Sequence, residues 1–330
     1  MSYINAVYLD GEKLIDLSFD TVSSTNDIVK GKIGHLNTGE VVTGTFEGGG
    51  GGTLIADMLE TKSDLFYLDL SGENISSIRA SGFYNNPKLR GVTLPTTVTE
   101  IGDQAFRGCT VLLDLNLDEL SNLTKIGQYI IHSTNVTNVV LPAGITTISQ
   151  YAFSGASNLR TIDMSACGHI TAFGGYVAYN LTNLTTIIFG DNTASLGANT
   201  CQNCSKLTTV HLPERLQEIP TYCFAGCTTL ASITLPPDIT KIGTYAFQTA
   251  GLTNVTIPQY VTNIATAAFY SNSKLTEVHF KGTPTTIATN AFGNCKALLD
   301  IYVPWSSGQV AGAPWGATNA QIYYNYVEED

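Results

Sequence analysis

The stretch KIGTYAFQTAGLTNVTIP at residues 241–258 carries the pattern from which the fold can be predicted. Most of this pattern recurs 23 residues upstream and 22 residues downstream. Equivalents of its first isoleucine stand 22–25 residues apart along the chain, at Ile78, Ile101, Ile126, Ile148, Phe173, Leu196, Ile219, Ile242, Ile264 and Ile287. A nearly constant spacing of this size is typical of a solenoid, in which each repeat forms one coil.

Each repeat contains a segment LxxΦxΦ, in which Φ is apolar, as at Leu252, Val255 and Ile257. This alternation predicts a short strand with one buried face. The segment begins at Leu65, Leu89, Leu112, Val136, Leu159, Leu184, Leu207, Leu230, Leu252, Leu275 and Leu298. Six of these strands run into a proline, which has no N–H to donate and therefore marks the end of pairing.

The second half of each repeat reads I-G-x-x-A-F, as at Ile242, Ala246 and Phe247. Apolar residues at i, i+4 and i+5 predict one helical turn packed on the core. The expected fold is an α/β solenoid: a right-handed curved stack of about ten repeats with a parallel sheet of about eleven short strands. One coil cannot bury enough apolar surface alone, so stacking must supply the stability.

The domain organisation follows from where the repeats stop. We expect a solenoid over 54–304, a C-terminal cap over 305–330, a glycine-rich linker over 48–53 and a small β-rich module over 1–47. Five consecutive glycines, Gly48–Gly52, favour the flexible linker. In the module, a hairpin is predicted from a strand near Lys32–Leu36, a turn at Asn37–Gly39 and a strand near Glu40–Phe46.

Composition narrows the class of partner. The net charge is −11 and the sixteen basic residues are scattered singly, so a nucleic-acid phosphate backbone would be repelled. No segment approaches 18 uninterrupted apolar residues, and the N-terminus lacks a basic region followed by an apolar one. We therefore expect no membrane insertion and no Sec-type signal peptide.

The repeat does not bring residues suited to catalysis or metal binding close together. His211 and His279 occupy equivalent positions three coils apart, roughly 14 Å, which is too far to share a metal. Asp114 and Asp163 stand two coils apart, close to the carboxylate separation of inverting glycosidases, but an open strand face would leave both hydrated. We expect a protein that is not an enzyme and that holds no cofactor or metal.

The seven cysteines are better explained by the repeat than by a metal site. Cys201 and Cys204 form a CxxC, and Cys223 and Cys227 follow, which keeps a zinc site or a disulfide open as an alternative. Four cysteines, however, share the position three residues after the phenylalanine, namely Cys109, Cys204, Cys227 and Cys295. Other repeats place Asn, Thr, Ala or, at Leu181, Leu there, so we expect reduced, buried cysteines in an interior column.

Two surface columns are candidates for binding. The first is the outward face of the strands, which is small and polar and suits hydrogen bonding to a glycan or a protein. Its candidate ligand-binding residues are Asp114, Asn116, Asn138, Asp163, Thr186, His211, Thr234, Asn254, Thr256, Glu277, His279 and Tyr302. The second is a tyrosine column at Tyr129, Tyr151, Tyr176, Tyr222 and Tyr245. The alternatives are a merely solvated sheet face and tyrosines half-buried between coils.

Two segments resemble the BspA-like leucine-rich repeats: VTEIGDQAFRGCTVLLDLNL (98–117) and ITKIGTYAFQTAGLTNVTIP (239–258). The resemblance covers about residues 60–305 and extends to a tail, IYVPWSSGQVAGAPWG (301–316), similar to the family's C-terminal cap. It implies that Trp305 and Trp315 close the last coil. It also implies a surface adhesion or recognition protein, because family members are mostly of that kind.

The segment DIVKGKIGHLNTGEVVTGTF (27–46) resembles short modules of bacteriophage tail and fibre proteins. This resemblance implies a phage virion appendage on the particle surface. Its solenoid would bind a host cell-surface glycan or protein, and its N-terminal module would bind other virion proteins or form a homo-oligomer such as a trimer. The alternative is a bacterial BspA-like adhesin or protein–protein scaffold at the cell surface or outside the cell.

Overall fold

The computed structural model describes residues 66–327 and five strands before them. Strands are numbered in chain order, and the first five are β1 (Ala6–Leu9), β2 (Glu12–Asp16), β3 (Ile33–His35), β4 (Val41–Thr43) and β5 (Gly52–Ile55). From residue 66 onward the chain winds into stacked coils that bear two ladders of short parallel strands. The predicted leucine-rich-repeat solenoid is thereby confirmed.

The first ladder is built by the LxxΦxΦ segments. Its strands are β6 (Phe66–Asp69), β8 (Leu89–Thr93), β10 (Asp114–Leu115), β12 (Asn138–Val140), β14 (Thr161–Asp163), β16 (Thr186–Ile188), β17 (Thr209–His211), β20 (Asn254–Ile257), β22 (Glu277–Phe280), β24 (Asp300–Tyr302) and β25 (Gln321–Tyr323). Neighbouring strands pair in parallel with matching positions opposite each other, for example Ile162 opposite Ile187. The alternating leucine, valine and isoleucine side chains therefore form continuous buried columns.

The second ladder contains the apolar residue that opens the I-G-x-x-A-F segment in nine coils, and it is interrupted at Leu196, which is in no strand. Its strands are β7 (Ile75–Ile78), β9 (Glu100–Ile101), β11 (Lys125–Ile126), β13 (Thr147–Ile148), β15 (Ala172–Phe173), β18 (Glu218–Ile219), β19 (Lys241–Ile242), β21 (Asn263–Ile264) and β23 (Thr286–Ile287). These two-residue pairings hold one apolar side chain of each coil against its equivalent in the next, as with Ile242 opposite Ile264.

The first ladder is divided into three sheets rather than one. The sheets are β6–β8–β10, β12–β14–β16–β17 and β20–β22–β24–β25. After β10, a 3₁₀ helix at Leu117–Glu119 takes up the extra residues of the longer repeat between Ile101 and Ile126. At Ser232–Thr234, where one of the eleven predicted strands was expected, the backbone forms no strand. The strand count is made up by β25, which lies beyond the last predicted repeat.

The I-G-x-x-A-F segment is a run of β-turns, so the predicted helical turn is wrong. In residues 66–327 the 3₁₀ helix Leu117–Glu119 is the only helix. Tyr245 and Thr249 have φ of 54° and 50°, the left-handed region that side chains other than glycine usually avoid. The same two positions of other coils are also left-handed, as at Tyr151 and Gly155.

The hydrogen bonds of this segment explain its conformation. The N–H of Ala246 donates within its own turn to Gly243 O at 3.2 Å, whereas the N–H of Phe247 donates to Ala268 O of the next coil at 2.7 Å. This alternation continues along the segment, since the N–H of Gln248 stays within the turn and that of Thr249 reaches the next coil. An α-helical turn would direct its N–H groups along its own axis and leave the neighbouring coils unbonded.

The core lies between the ladders and the turns. Phe224, Phe247, Phe269 and Phe292 stack nearly parallel, with centroid separations of 5.5, 5.2 and 5.1 Å. All four are essentially inaccessible to solvent. Full burial of each such side chain contributes roughly 1.5–3 kcal/mol, so the column is a main source of coil-to-coil stability.

The strands before residue 66 extend this picture at the N-terminal side. β3 and β4 pair antiparallel with Ile33 opposite Thr43, as expected for the two strands of the predicted hairpin, whose turn at Asn37–Gly39 lies outside the described residues. β5 pairs in parallel with β7 and antiparallel with β1, which also pairs with β2, so these strands continue the second ladder. The predicted linker 48–53 overlaps β5 at Gly52 and Thr53. The rest of the linker and of the 1–47 module lies outside the described residues.

The C-terminal end is a degenerate coil. Trp305 and Trp315 are buried and contact each other with ring centroids 6.2 Å apart. The Trp315 carbonyl accepts the Phe292 N–H at 3.0 Å, as the alanine of a regular coil does, and its indole N–H donates to Ala311 O at 2.8 Å. The tryptophans thus occupy the core positions of a last coil. Among the helices of the described chain, none is long and apolar enough to cross a membrane.

Candidate functional site

The outer strand face consists of the solvent-facing side chains of the first ladder. Strands such as β12 show why it exists: Val139 is buried, while Asn138 and Val140 on either side are exposed. Of the predicted ligand-binding residues, six are exposed, namely Asp114, Asn138, His211, Thr234, Asn254 and Thr256. Six are half-buried, namely Asn116, Asp163, Thr186, Glu277, His279 and Tyr302. Because the ladder is divided, the residues that lie in strands are spread over three separate sheets, and Asn116 and Thr234 lie outside any strand.

Two of the predicted residues are engaged in holding the backbone. The Asn116 amide accepts from Leu94 N at 2.8 Å and donates to Leu94 O at 3.1 Å and to Glu119 at 3.0 Å. This bridge ties β8 to the 3₁₀ helix. A carboxylate oxygen of Asp163 accepts from Ser165 N at 2.8 Å and closes a turn. Both residues have a structural role, which reduces what they can offer a ligand.

The two predicted histidines of the strand face each pair with an acid rather than with one another. His211 Nε2 lies 2.9 Å from Asp191 Oδ1, and both side chains are more than half exposed. An exposed pair of this kind contributes little, about 0–1 kcal/mol. His279 pairs with Glu277 of the same strand. Within the described parts of the chain, no group of three or more His, Cys, Asp or Glu side chains is arranged to hold a metal ion.

The most concentrated chemistry lies at the C-terminal end of the face. We call it the C-terminal cluster, and it comprises Glu277, His279, Asp300, Tyr302, Tyr323 and Tyr326. His279, Tyr302 and Tyr323 stack across three neighbouring strands with centroid separations of 4.5 and 4.7 Å and interplanar angles of 19° and 12°. Tyr326 leans against Tyr302 at 4.6 Å and 52° and meets His279 edge-on at 5.9 Å.

Two carboxylates border this stack. Glu277 lies directly opposite Asp300 in the parallel register of β22 and β24. Partial burial, followed by the charges of Asp300 and Glu277, raises the pKa of the Tyr302 phenol. A hydrogen bond with Asp300 is the first cause of the raised pKa of Tyr323. The cluster is therefore a region of negative potential beside aromatic rings.

Sequence reasoning included Glu277, His279 and Tyr302 among the binding residues but missed the other three. Asp300 lies on the outer face by the same alternation that places Tyr302 there, and Tyr323 and Tyr326 fall within the predicted cap, 305–330. A signal was present in the sequence: QIY at 321–323 repeats the polar-Ile-Tyr pattern of DIY at 300–302. The spacing of these two segments is shorter than the repeat, so the repeat spacing did not predict this further strand of the same face.

The tyrosine column packs between coils, on the turns. Tyr129, Tyr151 and Tyr176 stack with centroids 5.1 and 4.7 Å apart, and Tyr222 stacks on Tyr245 at 4.9 Å. All five side chains are half-buried, so their ring faces are largely covered by one another. Burial and Tyr151 raise the pKa of Tyr129 against the opposing effect of Arg107. This arrangement agrees with the structural alternative for the column.

The cysteine side chains in the interior column do more than fill a small space, because they also form hydrogen bonds. All seven cysteines are free and buried, as predicted. The thiol of Cys204 donates to Ala178 O at 3.0 Å, that of Cys227 to Cys201 O at 3.2 Å and that of Cys109 to Phe83 O at 2.9 Å. Asn272 at the same position donates to Phe247 O at 2.7 Å. The column therefore supplies a side-chain donor to a carbonyl of the preceding coil.

Burial also makes these thiols unreactive. It raises the pKa of Cys109 and of Cys167 to about 12 and that of Cys295 to about 11. A thiol with such a pKa is protonated at neutral pH and is a poor nucleophile and metal ligand. The cysteines thus belong to the scaffold, and the outer strand face with its C-terminal cluster is the candidate site.

Comparison with known proteins agrees with this architecture. No curated protein matches the chain. A solved leucine-rich repeat protein from Bacteroides ovatus is 21% identical, with 90% of this chain and 76% of that chain covered and a TM-score of 0.65. A leucine-rich cell surface protein from Faecalibacterium prausnitzii is 18% identical over 78% of this chain and 81% of that chain, with a TM-score of 0.33. The leucine-rich repeat protein of T. pallidum is 21% identical over 66% and 84%, with a TM-score of 0.39.

The first of these structures shows the shared fold. The family model for the BspA type leucine rich repeat region matches residues 76–208 and 194–311, with six copies of the repeat. Those two ranges together span well over half of the chain, and they coincide with the coils described above. The chain therefore belongs to the BspA-type leucine-rich-repeat family.

Proposed function

We propose that this protein is a non-enzymatic recognition scaffold that acts at a cell surface or outside the cell. It would bind a protein or a glycan partner through the outer strand face. The observation that carries the proposal is the contrast between the two sides of each strand. In the sheet β12–β14–β16–β17, the inward position is Val or Ile in every coil, whereas the second outward position changes from Val140 to Asp163, Ile188 and His211 on a frame held in register.

The geometry of the carboxylates supports a binding role rather than a catalytic one. Asp114 and Asp163, whose spacing was compared with that of inverting glycosidases, lie on different sheets. Asp163 is also engaged by Ser165 N. A catalytic acid of that kind needs an enclosed site that raises its pKa. An open strand face does not provide such an enclosure.

Family membership favours the adhesin or scaffold over a virion appendage. BspA-like proteins are typically found at the cell surface or outside the cell. The phage location and the virion partners rest on the resemblance of residues 27–46, of which the structure describes only β3 and β4. They stay predictions, as does a trimer formed by the N-terminal module. Mass spectrometry of purified phage particles and of bacterial surface fractions would distinguish the two locations.

A matched pair of variants tests the proposed face. Asn138→Arg with Thr209→Arg places two bulky cations on exposed positions of β12 and β17. Thr266→Arg with Thr289→Arg places the same two cations on exposed positions of the turns. Labelled wild-type chain is screened against bacterial cells, host epithelial cells and immobilised glycans, and the variants are then measured on whichever surface binds.

We expect the strand-face variant to lose binding and the turn variant to retain it, with equal thermal unfolding temperatures. Retention of binding by both variants would assign recognition to another surface. Release of new reducing ends from any glycan by the wild-type chain would contradict the non-enzymatic role.

A further inference from the structure

We propose that the C-terminal cluster binds an arginine or lysine side chain presented by a protein partner. This inference rests on the proposed recognition function and names the chemistry of one partner group. It begins from the aromatic stack that His279, Tyr302 and Tyr323 form across β22, β24 and β25. Tyr326 extends the aromatic surface and is 37% exposed.

Aromatic surfaces of this kind favour protein recognition. Tyrosine offers a large, rigid contact area with few rotatable bonds, and it is enriched among the residues that dominate protein interfaces. The stack lies at the end of its sheet, since β25 pairs with β24 and is the last strand in the described residues. A partner can approach it from the strand face.

The two carboxylates beside the stack are expected to destabilise the sheet. Glu277 and Asp300 face each other across neighbouring strands, and like charges directly opposite destabilise a sheet. Equivalent positions in β14, β16 and β17 carry threonine, which pairs there without cost. A local feature that opposes the fold is a sign of function.

The strand positions beside these charges carry no Lys or Arg, and a lysine, Lys281, directly follows β22. The eight outward positions of the four strands are Asn254, Thr256, Glu277, His279, Asp300, Tyr302, Gln321 and Tyr323, and none is Lys or Arg. Glu277 pairs with His279, and Asp300 accepts a hydrogen bond from Tyr323. Because a carboxylate has about four lone-pair sites, each can still accept bonds from a ligand. A positively charged ligand would relieve the repulsion, which a neutral sugar would not.

A guanidinium group fits both parts of the cluster. Its planar fork donates to carboxylates, and its face stacks on an uncovered aromatic ring, which here is that of Tyr326, 37% exposed. A lysine ammonium offers the same charge with less directional bonding. The net charge of −11 would also attract a basic partner over longer distances.

The probe is a fluorescein-labelled peptide of alternating Arg-Gly-Ser units, with Lys-Gly-Ser and Gln-Gly-Ser versions as comparisons. Binding to the full chain is measured by fluorescence anisotropy. The test variant is Glu277→Gln with Asp300→Asn, which removes both charges and keeps the shape. The matched control is Glu214→Gln with Asp238→Asn, which removes two exposed charges from turns outside the strands and gives the same net charge as the test variant.

We expect the Arg peptide to bind most tightly, the Lys peptide less tightly and the Gln peptide least. The test variant should weaken Arg-peptide binding roughly tenfold, as two partly exposed ion pairs allow, and the control by less than about twofold. Tyr326→Ala should weaken it about twofold to fivefold through loss of cation–π contact. Circular dichroism should show that each variant keeps the wild-type fold.

Equal weakening by the test and control variants would show a general charge effect and overturn the inference. Equal binding of the Arg and Gln peptides would overturn it too. The inference would also be overturned if the wild-type protein bound neutral oligosaccharides but not the Arg peptide, and if Tyr326→Ala abolished the oligosaccharide binding. In each of these cases the scaffold proposal stands if Asn138→Arg with Thr209→Arg still abolishes binding to cells or glycans.

Discussion

The thiol of Cys204 donates a hydrogen bond to the main-chain carbonyl of Ala178, 3.0 Å away in the preceding coil. This contact defines what the cysteine column does. Cysteine supplies a compact donor at this position, as asparagine does at Asn272, whereas coils with Ala156 or Ala250 there have no such donor. A buried carbonyl left without a donor carries a desolvation penalty, so the thiol contributes to stability without any redox role.

Cys204→Ala should destabilise the protein by about 1–3 kcal/mol, because it leaves the Ala178 carbonyl without this donor and opens a small cavity. Cys204→Ser keeps a donor and should cost less than the alanine variant. Urea denaturation followed by circular dichroism measures both. A serine variant no more stable than the alanine variant would show that volume alone matters at this position.

Stability should fall at alkaline pH because of the buried thiols. Burial raises the pKa of Cys109 and of Cys167 to about 12, whereas an unfolded thiol has a pKa of about 8.5. Between these values the unfolded chain loses protons that the folded chain retains, so rising pH favours unfolding. The free energy of unfolding, measured in urea at pH 7.5, 9 and 10, should decrease stepwise. A flat profile would contradict the burial of these groups.

Gly243→Ala should destabilise strongly, because the coils approach too closely for a side chain. A Cβ at this position would lie 2.7 Å from Thr221 N and 2.8 Å from Ile219 O. Both contacts are with backbone, so relief requires the coils to separate. We expect a loss of at least about 2 kcal/mol, as for other overpacked positions. Gly168→Ala, where nothing lies within 4 Å, is the matched control and should leave the thermal unfolding temperature nearly unchanged.

Phe247→Ala should cost about 3–5 kcal/mol, because it removes the middle of the phenylalanine stack. Tyr260→Ala removes a side chain that is 54% exposed and should change stability by less than about 0.5 kcal/mol. Denaturant midpoints compare the two. Similar losses in both variants would mean that the stack does not carry the coil-to-coil stability assigned to it.

The apolar pattern was sufficient to predict the coils and their buried columns. Leu252, Val255 and Ile257 alternate as a strand must, and Phe247 fills a core position in both the prediction and the structure. The conformation of the turn could not be read in the same way. Spacing of i, i+4 and i+5 is compatible with a helical turn and with consecutive β-turns. The choice depends on bonds such as Phe247 N to Ala268 O, which lie between coils.

The candidate site was predictable only as far as the repeat is regular. Alternation placed Glu277, His279 and Tyr302 on the outer face correctly, because β22 and β24 keep the repeat length. It could not assign Asn116 to a structural bridge, since that role depends on the 3₁₀ helix that follows. It also missed Tyr323, because the cap shortens the spacing while preserving the register of the sheet.

The alternating N–H bonds of the turns have an electrical consequence. Within one peptide unit, the Ala246 carbonyl accepts from Phe224 of the previous coil and the Phe247 N–H donates to Ala268 of the next. The same relation continues through Phe269 and Ala291 to Phe292 and Trp315. These peptide dipoles are aligned head to tail along the stack, as in an α-helix, although no helix is present there. The turn side of the solenoid is therefore polarised, with its positive end at the Trp315 coil and its negative end toward residue 80.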